Sequence, residues 1–558
     1  MSRVLVLILG VASLLLACEA PPPARSRAPG PSSLVLIHTA DLHSHLFPER
    51  MQVGPVDAAR GLGPSGKVSE VGGFARMASI VNDVRAGAEH SLLLDSGDLI
   101  EGTAAFTEFA GEPELRAFSA LHLAASVVGN HDLDPGPEEF AEKHREFAEF
   151  PMLASNFAQH GSELDSALTP SVVLDAQGLR VGVIGVANPS SPSGLGRIDN
   201  PYGIELLPTA SAVQSEIDRL QPDTDVIVLL SHLGLDGDEA LISNTSGLDV
   251  VLGGHQHLAL DDALDRLDCG PSLHAERGCE PRHVALVHSG ALGRYVGEVD
   301  LSLVPADTPG ESAAPGLELE SVEHSLIPVS AEVSEDPALA ALLEPYRVAL
   351  HEAGFDTEIA FALTTVERYA ANGGDSALGD LVSDAIRDST QADFVLLNTT
   401  GIRANLPPGE LTRSAFVAAL PFQDTLVELS ITGAQLRTLL NQQARVASSR
   451  DCQSPIQIAG FELAFKCSGT ASSAVARVLA SGRELDAKTV YALVTSEYLA
   501  DGGSGFELLT EVTSRRALDV DPLDSLLSAV RRRPGCAQST LPCLDPARLR
   551  DGRITASP

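Results

Sequence analysis

Basic residues are scarce in this chain: 38 Lys and Arg stand against 75 Asp and Glu, a net charge of −37. This excludes a nucleic-acid polymer as the expected partner, because phosphate backbones are held by Lys/Arg surfaces. A small phosphorylated ligand remains open, provided a metal or a few arginines concentrate positive charge locally. There are only 7 cysteines, and none has the C-x-x-C spacing of a zinc site. The N-terminal apolar run, Val4 to Ala17, is shorter than the roughly 20 residues of a membrane span. Tryptophan is absent and aromatics are 4%, whereas hydrophobic residues make up 44% and charged residues 20%. That balance belongs to a globular protein, neither disordered nor fibrous. No internal repeat is visible, and 558 residues predict two large domains.

The opening "MSRVLVLILGVASLLLAC" fits an export signal. Its end, Leu15-Leu16-Ala17-Cys18, resembles a bacterial lipobox, in which Cys18 becomes the lipidated first residue; the alternative is a plain secretory signal with a chance cysteine. Glu19, rather than Asp, then implies an outer-membrane anchor facing periplasm or cell surface. No protein partner is expected. The other six cysteines fall into close pairs, Cys269/Cys279, Cys452/Cys467 and Cys536/Cys543. In an exported chain these predict local disulfides, the alternative being free buried cysteines.

Residues 19–33, "EAPPPARSRAPGPSS", read as a Pro-rich tether. From 34 to 303 short apolar runs such as "LVLIH", "VGVIGV" and "DVIVLLS" alternate with amphipathic stretches, predicting an α/β domain whose buried strands deliver polar residues at their ends. Residues 304–355 read as a linker, "PADTPGESAAPG", and a connecting helix in "DPALAALLEPYRVALHEAG". From 356 to 558 a second α/β pattern follows, with a helix in "SALGDLVSDAIRD" and strands in "DFVLLN" and "YALVTS".

Within the first domain the apolar runs end in possible metal ligands. They deliver His38 with Asp41 and His43, then Asp95 with Asp98, then Asn130-His131-Asp132 with Asp134, then His232, and last His255 and His257. Strand ends at one edge of an α/β sheet converge in space, so one crevice could gather them. Imidazoles, carboxylates and an amide oxygen suit Zn, Mn, Fe or Co. Each element alone is weak; the ordered set is specific.

"DLH", "GD", "GNHD", "SHLG" and "GGHQH" together resemble the signature of the calcineurin-like metallophosphoesterases. With "DSALGDLVSDA", "NTTGIRANLPPGELT", "LPFQDTLVELSITGAQL" and "YLADGGSGF", the chain from about Leu34 to about Ile554 resembles the bacterial 5′-nucleotidase family. The resemblance implies a four-layer α/β/β/α metallophosphoesterase sandwich followed by a smaller α/β substrate-binding domain. It implies two divalent ions, one held by Asp41, His43 and His257, the other by Asn130, His232 and His255, with Asp98 bridging. A hydroxide they activate would attack phosphorus, while His131 donates a hydrogen bond or proton and Asp134 orients it. Asp134 could instead be a cap or turn residue before Pro135. Asp95, Asp132 and His38 are supporting candidates.

In the second domain the resemblance implies base stacking by Phe422 and Tyr498, and polar contacts from Asn398 and Arg403. Either aromatic could instead belong to the core. The chain departs from the family pattern in three places. Ser504 stands where an Asp would clamp the ribose diol, Asp424 replaces an Asn, and the arginine before "DSALG" is missing, with Arg368 a displaced substitute. A strand-like alternation would turn Gln256 away from the cleft. The expected reaction is hydrolysis of nucleoside 5′-monophosphates. Alternatives on the same scaffold are a UDP-sugar or nucleoside diphosphate hydrolase, a 2′,3′-cyclic nucleotide phosphodiesterase and a non-nucleotide phosphomonoesterase. A phosphatase fold without activity, or a nucleotide- or metal-binding surface lipoprotein without turnover, is the contrasting reading.

Overall fold

The computed structural model describes residues 32–159, 163–188, 204–305, 317–422, 425–467 and 474–557. The signal segment, Cys18, most of the Pro-rich tether, the break at 306–316 and Asp424 lie outside the described residues.

Strand Ser32–Thr39 shows how the first domain is layered. Its consecutive apolar residues point alternately to its two faces, and both faces are buried. Leu34 and Leu36 join one core with Leu94, Val127, Val181, Val228 and Val250. Val35 and Ile37 join another, with Phe74, Phe118 and Val81. A strand buried on both sides must be continuously apolar, as "LVLI" is, and each such side chain contributes roughly 1.5–3 kcal/mol. This strand pairs parallel with Ser91–Asp95 and antiparallel with Tyr295–Pro305. The seven-stranded sheet runs Leu317–Pro328, Tyr295–Pro305, Ser32–Thr39, Ser91–Asp95, Ala125–Val127, Met152–Leu153, Leu168–Thr169.

A six-stranded sheet, ordered Leu264–Leu267, His283–His288, Val250–Gly253, Val226–Ser231, Leu179–Val186, Ser171–Ala176, packs against it. At Gly185 a Cβ would lie 2.2 Å from the Cβ of Leu153, so the sheets touch there only because the residue is glycine. Helices Phe74–Gly87, Glu112–Ala120 and Pro337–Glu352 cover the outside of the first sheet. Thr209–Leu220 and Leu235–Ser243 cover the second. The α/β/β/α order is the one expected.

Within 304–355, strand Leu317–Pro328 forms the edge of the first sheet, paired along Tyr295–Pro305 with a bulge between Ser302 and Leu303. The described part of that stretch is thus structured, not a free linker. Helix Pro337–Glu352 follows, and the Asp336 carboxylate accepts from Ala338 N–H and Leu339 N–H at 2.9 Å each.

The smaller domain has a five-stranded sheet, Ile456–Ala459, Phe394–Asn398, Val490–Ser496, Leu426–Thr432, Arg515–Leu518. Helix Ala377–Thr390 covers it, starting where Ser376 Oγ accepts from Gly379 N–H at 2.9 Å. The cysteines join in the three expected local pairs, 269–279, 452–467 and 536–543.

Candidate metal centre

Strands of both sheets end at one cleft. Ser32–Thr39 leads to Asp41 and His43, Ser91–Asp95 to Asp98, and Ala125–Val127 to Asn130 and His131. From the other sheet, Val226–Ser231 leads to His232, and Val250–Gly253 to His255 and His257. Five of these residues hold left-handed backbone: Asp41 (φ 51°), His43 (49°), Asp98 (54°), His255 (76°) and His257 (56°). Non-glycine residues adopt it at a cost of about 1–3 kcal/mol each, so the surroundings must enforce it. Interlocking hydrogen bonds do so. Asp41 N–H donates to Gly97 O and His43 N–H to Asp98 O, each at 2.9 Å. His255 N–H donates to the Asp41 carboxylate at 2.9 Å, and His131 N–H to Asp98 Oδ1 at 2.8 Å. The Asp132 carboxylate accepts three N–H groups, from Asp98 at 3.0 Å, Leu99 at 2.9 Å and Gly129 at 2.7 Å. A Cβ on Gly129 would lie 2.2 Å from Asp98 Oδ1, so the two loops can lie this close only with glycine there.

Ligand atoms of Asp41, His43 and His257 lie within 4.8 Å of one another, as do those of Asp41, Asp98 and His232. Asp41, expected on one side only, therefore touches both groups. His43 Nδ1 donates to Glu101 O at 3.1 Å, leaving Nε2 to face His257 Nε2, also at 3.1 Å. His232 Nδ1 donates to Ser96 O at 2.5 Å, while its Nε2 points inward, 3.0 Å from Asp98 Oδ2. That Nε2 is fully buried yet makes no hydrogen bond of good geometry. His255 Nδ1 lies 2.8 Å from Asn130 Oδ1.

The electrostatics fit a cation. Burial, ahead of neighbouring charges, holds His43 and His257 well below the ordinary imidazole pKa and His255 at about 4, so all three carry lone pairs at neutral pH. Burial raises the Asp41 carboxyl to about 8. His232 shows the opposite demand: burial opposes its charge, but Asp98 and Asp41 outweigh burial and lift it to about 10. With the protons held by Asp41 and His232 exchanged for a divalent ion, these carboxylates, imidazoles and amide oxygen make the donor set of a borderline cation.

His131 Nδ1 donates to Asp134 Oδ2 at 2.6 Å. Its ring stacks on Phe422 of the second domain, centroids 5.3 Å apart at 21°. Arg403 Nη2 lies 3.2 Å from His43 Nε2, with its guanidinium 5.7 Å from the Phe422 ring centre. Arg368 braces that loop, donating to Ile402 O at 3.0 Å and Arg403 O at 2.6 Å. Asn398 Nδ2 donates to Thr400 Oγ1 at 2.9 Å, within the same loop. Tyr498 and Ser504 form a separate pair, the tyrosine hydroxyl 3.2 Å from Ser504 Oγ and accepting Ser504 N–H at 3.1 Å.

The strand Val250–Gly253 stops before His255. Left-handed turns, not strand alternation, aim both imidazoles into the cleft and turn Gln256 outward, where its Oε1 accepts from Leu235 N–H at 3.1 Å. The carbonyls of Ser96 and Glu101, which fix two tautomers, carried no sequence signal.

Residues 34–259 match the family model described as calcineurin-like phosphoesterase, and residues 355–511 match 5′-nucleotidase, C-terminal domain. A 5′-nucleotidase from Diplobatis ommata is 25% identical over 86% of this chain and 84% of its own length. The trifunctional nucleotide phosphoesterase protein YfkN of Bacillus subtilis is 24% identical over 86% of this chain, which spans 32% of that longer protein. The crystal structure of a 5′-nucleotidase precursor from Thermus thermophilus superposes with a TM-score of 0.78 at 26% identity, covering 94% of this chain and 99% of that one. The chain belongs to the family of metal-dependent phosphoester hydrolases that join a calcineurin-like phosphoesterase domain to a 5′-nucleotidase C-terminal domain.

Proposed function

We propose that the chain is an exported, lipid-anchored phosphohydrolase that releases phosphate from nucleoside 5′-monophosphates. Asp41, His43 and His257 would hold one divalent ion, Asn130, His232 and His255 a second, and Asp98 would bridge them. When bound, such a pair supplies the Lewis acidity that makes water nucleophilic near neutral pH and offsets phosphoryl charge. The carrying observation is the meeting of three elements at one cleft: the buried ligand set, the His131–Asp134 pair, and Arg403 with Phe422 from the second domain.

His131, held by Asp134, hydrogen-bonds the phosphoryl oxygens or protonates the leaving oxygen. Arg403 offers a planar fork to phosphate, and Phe422 and Tyr498 offer faces for a base. The hydroxyl of Ser504 is uncharged, shorter than a carboxylate, and already within reach of Tyr498, so it grips a ribose diol weakly. This favours, as a second reading, a phosphoesterase with broad nucleotide tolerance.

The test is a phosphate-release screen of nucleoside monophosphates, diphosphates, 2′,3′-cyclic nucleotides and sugar phosphates. It compares wild type with Ser504→Asp, before and after chelation and Mn or Zn restoration. Metal-dependent release from AMP, improved by Ser504→Asp, is expected. Nucleotide binding without phosphate release under any metal would overturn the enzyme reading. Faster release from sugar phosphates than from any nucleotide would overturn the substrate.

A further inference from the structure

The candidate ligands descend from two different sheets. Asp41, His43, Asp98 and Asn130 follow strands of the seven-stranded sheet, and His232, His255 and His257 follow strands of the six-stranded one. Apolar contact between sheets sets a spacing of about 10 Å but tolerates sliding. Something must fix the ligands more closely than that, since a metal site tolerates displacements of only about 0.5 Å.

Directly beneath the cleft, His38 is fully buried near the end of strand Ser32–Thr39. Its Nδ1 lies 2.7 Å from Ser289 Oγ, just beyond strand His283–His288 of the opposite sheet. Its Nε2 lies 2.9 Å from Ser96 Oγ, and that hydroxyl donates to Leu252 O, also of the opposite sheet, at 2.8 Å. A carbonyl only accepts, so the single Ser96 hydroxyl proton is committed to Leu252. His38 Nε2 must then carry the proton given to Ser96 Oγ, and His38 Nδ1 must accept from the Ser289 hydroxyl. The chain of bonds has one direction and fixes the tautomer. Both of its outputs reach the centre. Ser96 is the residue whose carbonyl takes His232 Nδ1–H, and Leu252 lies three residues before His255 on the strand that delivers it.

We propose that His38 is a positioning residue: bridging the two sheets, it holds Ser96 and Leu252 so that His232 and His255 meet the ligands of the other sheet. The proposal rests on the metal-ligand reading above. A partner bonded directly to a metal ligand alters affinity by about 10–100-fold when removed, and His38 stands one bond further back, behind Ser96.

The experiment measures Mn²⁺ stoichiometry and affinity in chelator-buffered titrations of the full chain, with circular dichroism and metal-free melting as folding controls. Wild type is expected to take up two equivalents. His38→Leu, matched in bulk but unable to hydrogen-bond, is expected to weaken the second equivalent about 10-fold, the lower end of the effect of a direct ligand partner. It should also lower kcat with KM little changed. His38→Gln, whose amide can donate from near the Nε2 position, should recover most of both. If His38→Leu does not fold, Ser289→Ala, which removes only the donor to Nδ1, should show a smaller loss in the same direction. A folded His38→Leu or Ser289→Ala that binds two equivalents with wild-type affinity overturns the proposal. A wild type that does not bind two equivalents overturns the ligand reading instead.

Discussion

Arg403 Nη2 stands 3.2 Å from His43 Nε2, so a guanidinium of the smaller domain reaches the candidate metal centre of the larger one. Arg368 holds the loop carbonyls of Ile402 and Arg403. The guanidinium is therefore presented from a fixed backbone and is poised to meet a phosphate. A charge-assisted hydrogen bond contributes about 1.5–3 kcal/mol, so Arg403→Gln should reduce kcat/KM roughly 10–100-fold, mainly through KM. Metal content should be unchanged, because Arg403 supplies no ligand. Steady-state kinetics beside metal analysis checks this, and a loss of metal with unaltered KM would refute it.

Asp98 lies against one histidine from each of the two proposed ion sites. Its Oδ2 is 3.0 Å from His232 Nε2 and 3.5 Å from His43 Nε2, and its Oδ1 anchors His131 N–H. Asp98→Asn keeps the size but removes the charge. Uptake of both ions should collapse, and turnover should drop by at least roughly 10³-fold, given the several kcal/mol that metal ions contribute to phosphoryl charge stabilisation. Elemental analysis after equilibration with Mn or Zn reads the first effect directly. An Asp98→Asn protein with full metal content and turnover would refute the bridging role.

What the sequence disclosed and withheld follows from where information sits. Side chains of rare chemistry announce themselves: two histidines after "VVLGG" and an Asn-His-Asp after "SVVG" could be read before any fold was known. Backbone groups do not, since every residue carries a carbonyl, and nothing marks those of Ser96 and Glu101. The strand Leu317–Pro328 was hidden for another reason. It is an edge strand with one buried residue, Leu317, and its apolar alternation, Leu317, Leu319 and then Val322, loses its period across the bulge and among charged neighbours, so "LELESVEHSLIP" gives only a weak strand signal. The left-handed turns at His255 and His257 were likewise invisible, because the residues there are chosen for ligation and not for backbone ease.

The catalytic-pair and turn-residue readings of Asp134, whose Oδ2 lies 2.6 Å from His131 Nδ1, make different predictions. Burial pulls the His131 imidazole down, but the Asp134 and Asp98 carboxylates and the Asp134 hydrogen bond outweigh it and hold it above its ordinary pKa. The charged form therefore persists to higher pH than in a free histidine and is lost as pH rises through the elevated value. Asp134→Asn removes the largest raising influence. The alkaline limb of kcat should move to lower pH, and kcat should fall by roughly 10²–10⁴-fold as general-acid assistance is lost. If Asp134 only shapes the turn before Pro135, melting temperature would change while the pH profile kept its position.

The smaller domain carries a pH-sensitive carboxyl, Asp380, away from the cleft. Asp375 accepts backbone N–H groups from Gly552 at 2.9 Å and Ile554 at 3.2 Å, using both oxygens. Asp380, fully buried beside it, is raised to about 9 by burial first and by Asp375 as well, against the pull of Arg553. The guanidinium of Arg553 is engaged mainly elsewhere, with Asp384 at 2.7 and 2.9 Å and Asp551 at 2.8 Å. In the folded chain Asp380 therefore keeps a proton that the unfolded chain releases near 3.8. The stability it contributes is complete at pH below about 4 and drains away as pH rises towards 9, by at most about 1.4 kcal/mol per pH unit. Asp380→Asn presents a permanently neutral group of the same shape. Its melting temperature should stay flatter than wild type between pH 5 and 9 and exceed it at pH 9, in scans corrected for any pH effect common to both. Parallel wild-type and Asp380→Asn curves across that window would show that Asp380 is already ionised and paired with Arg553.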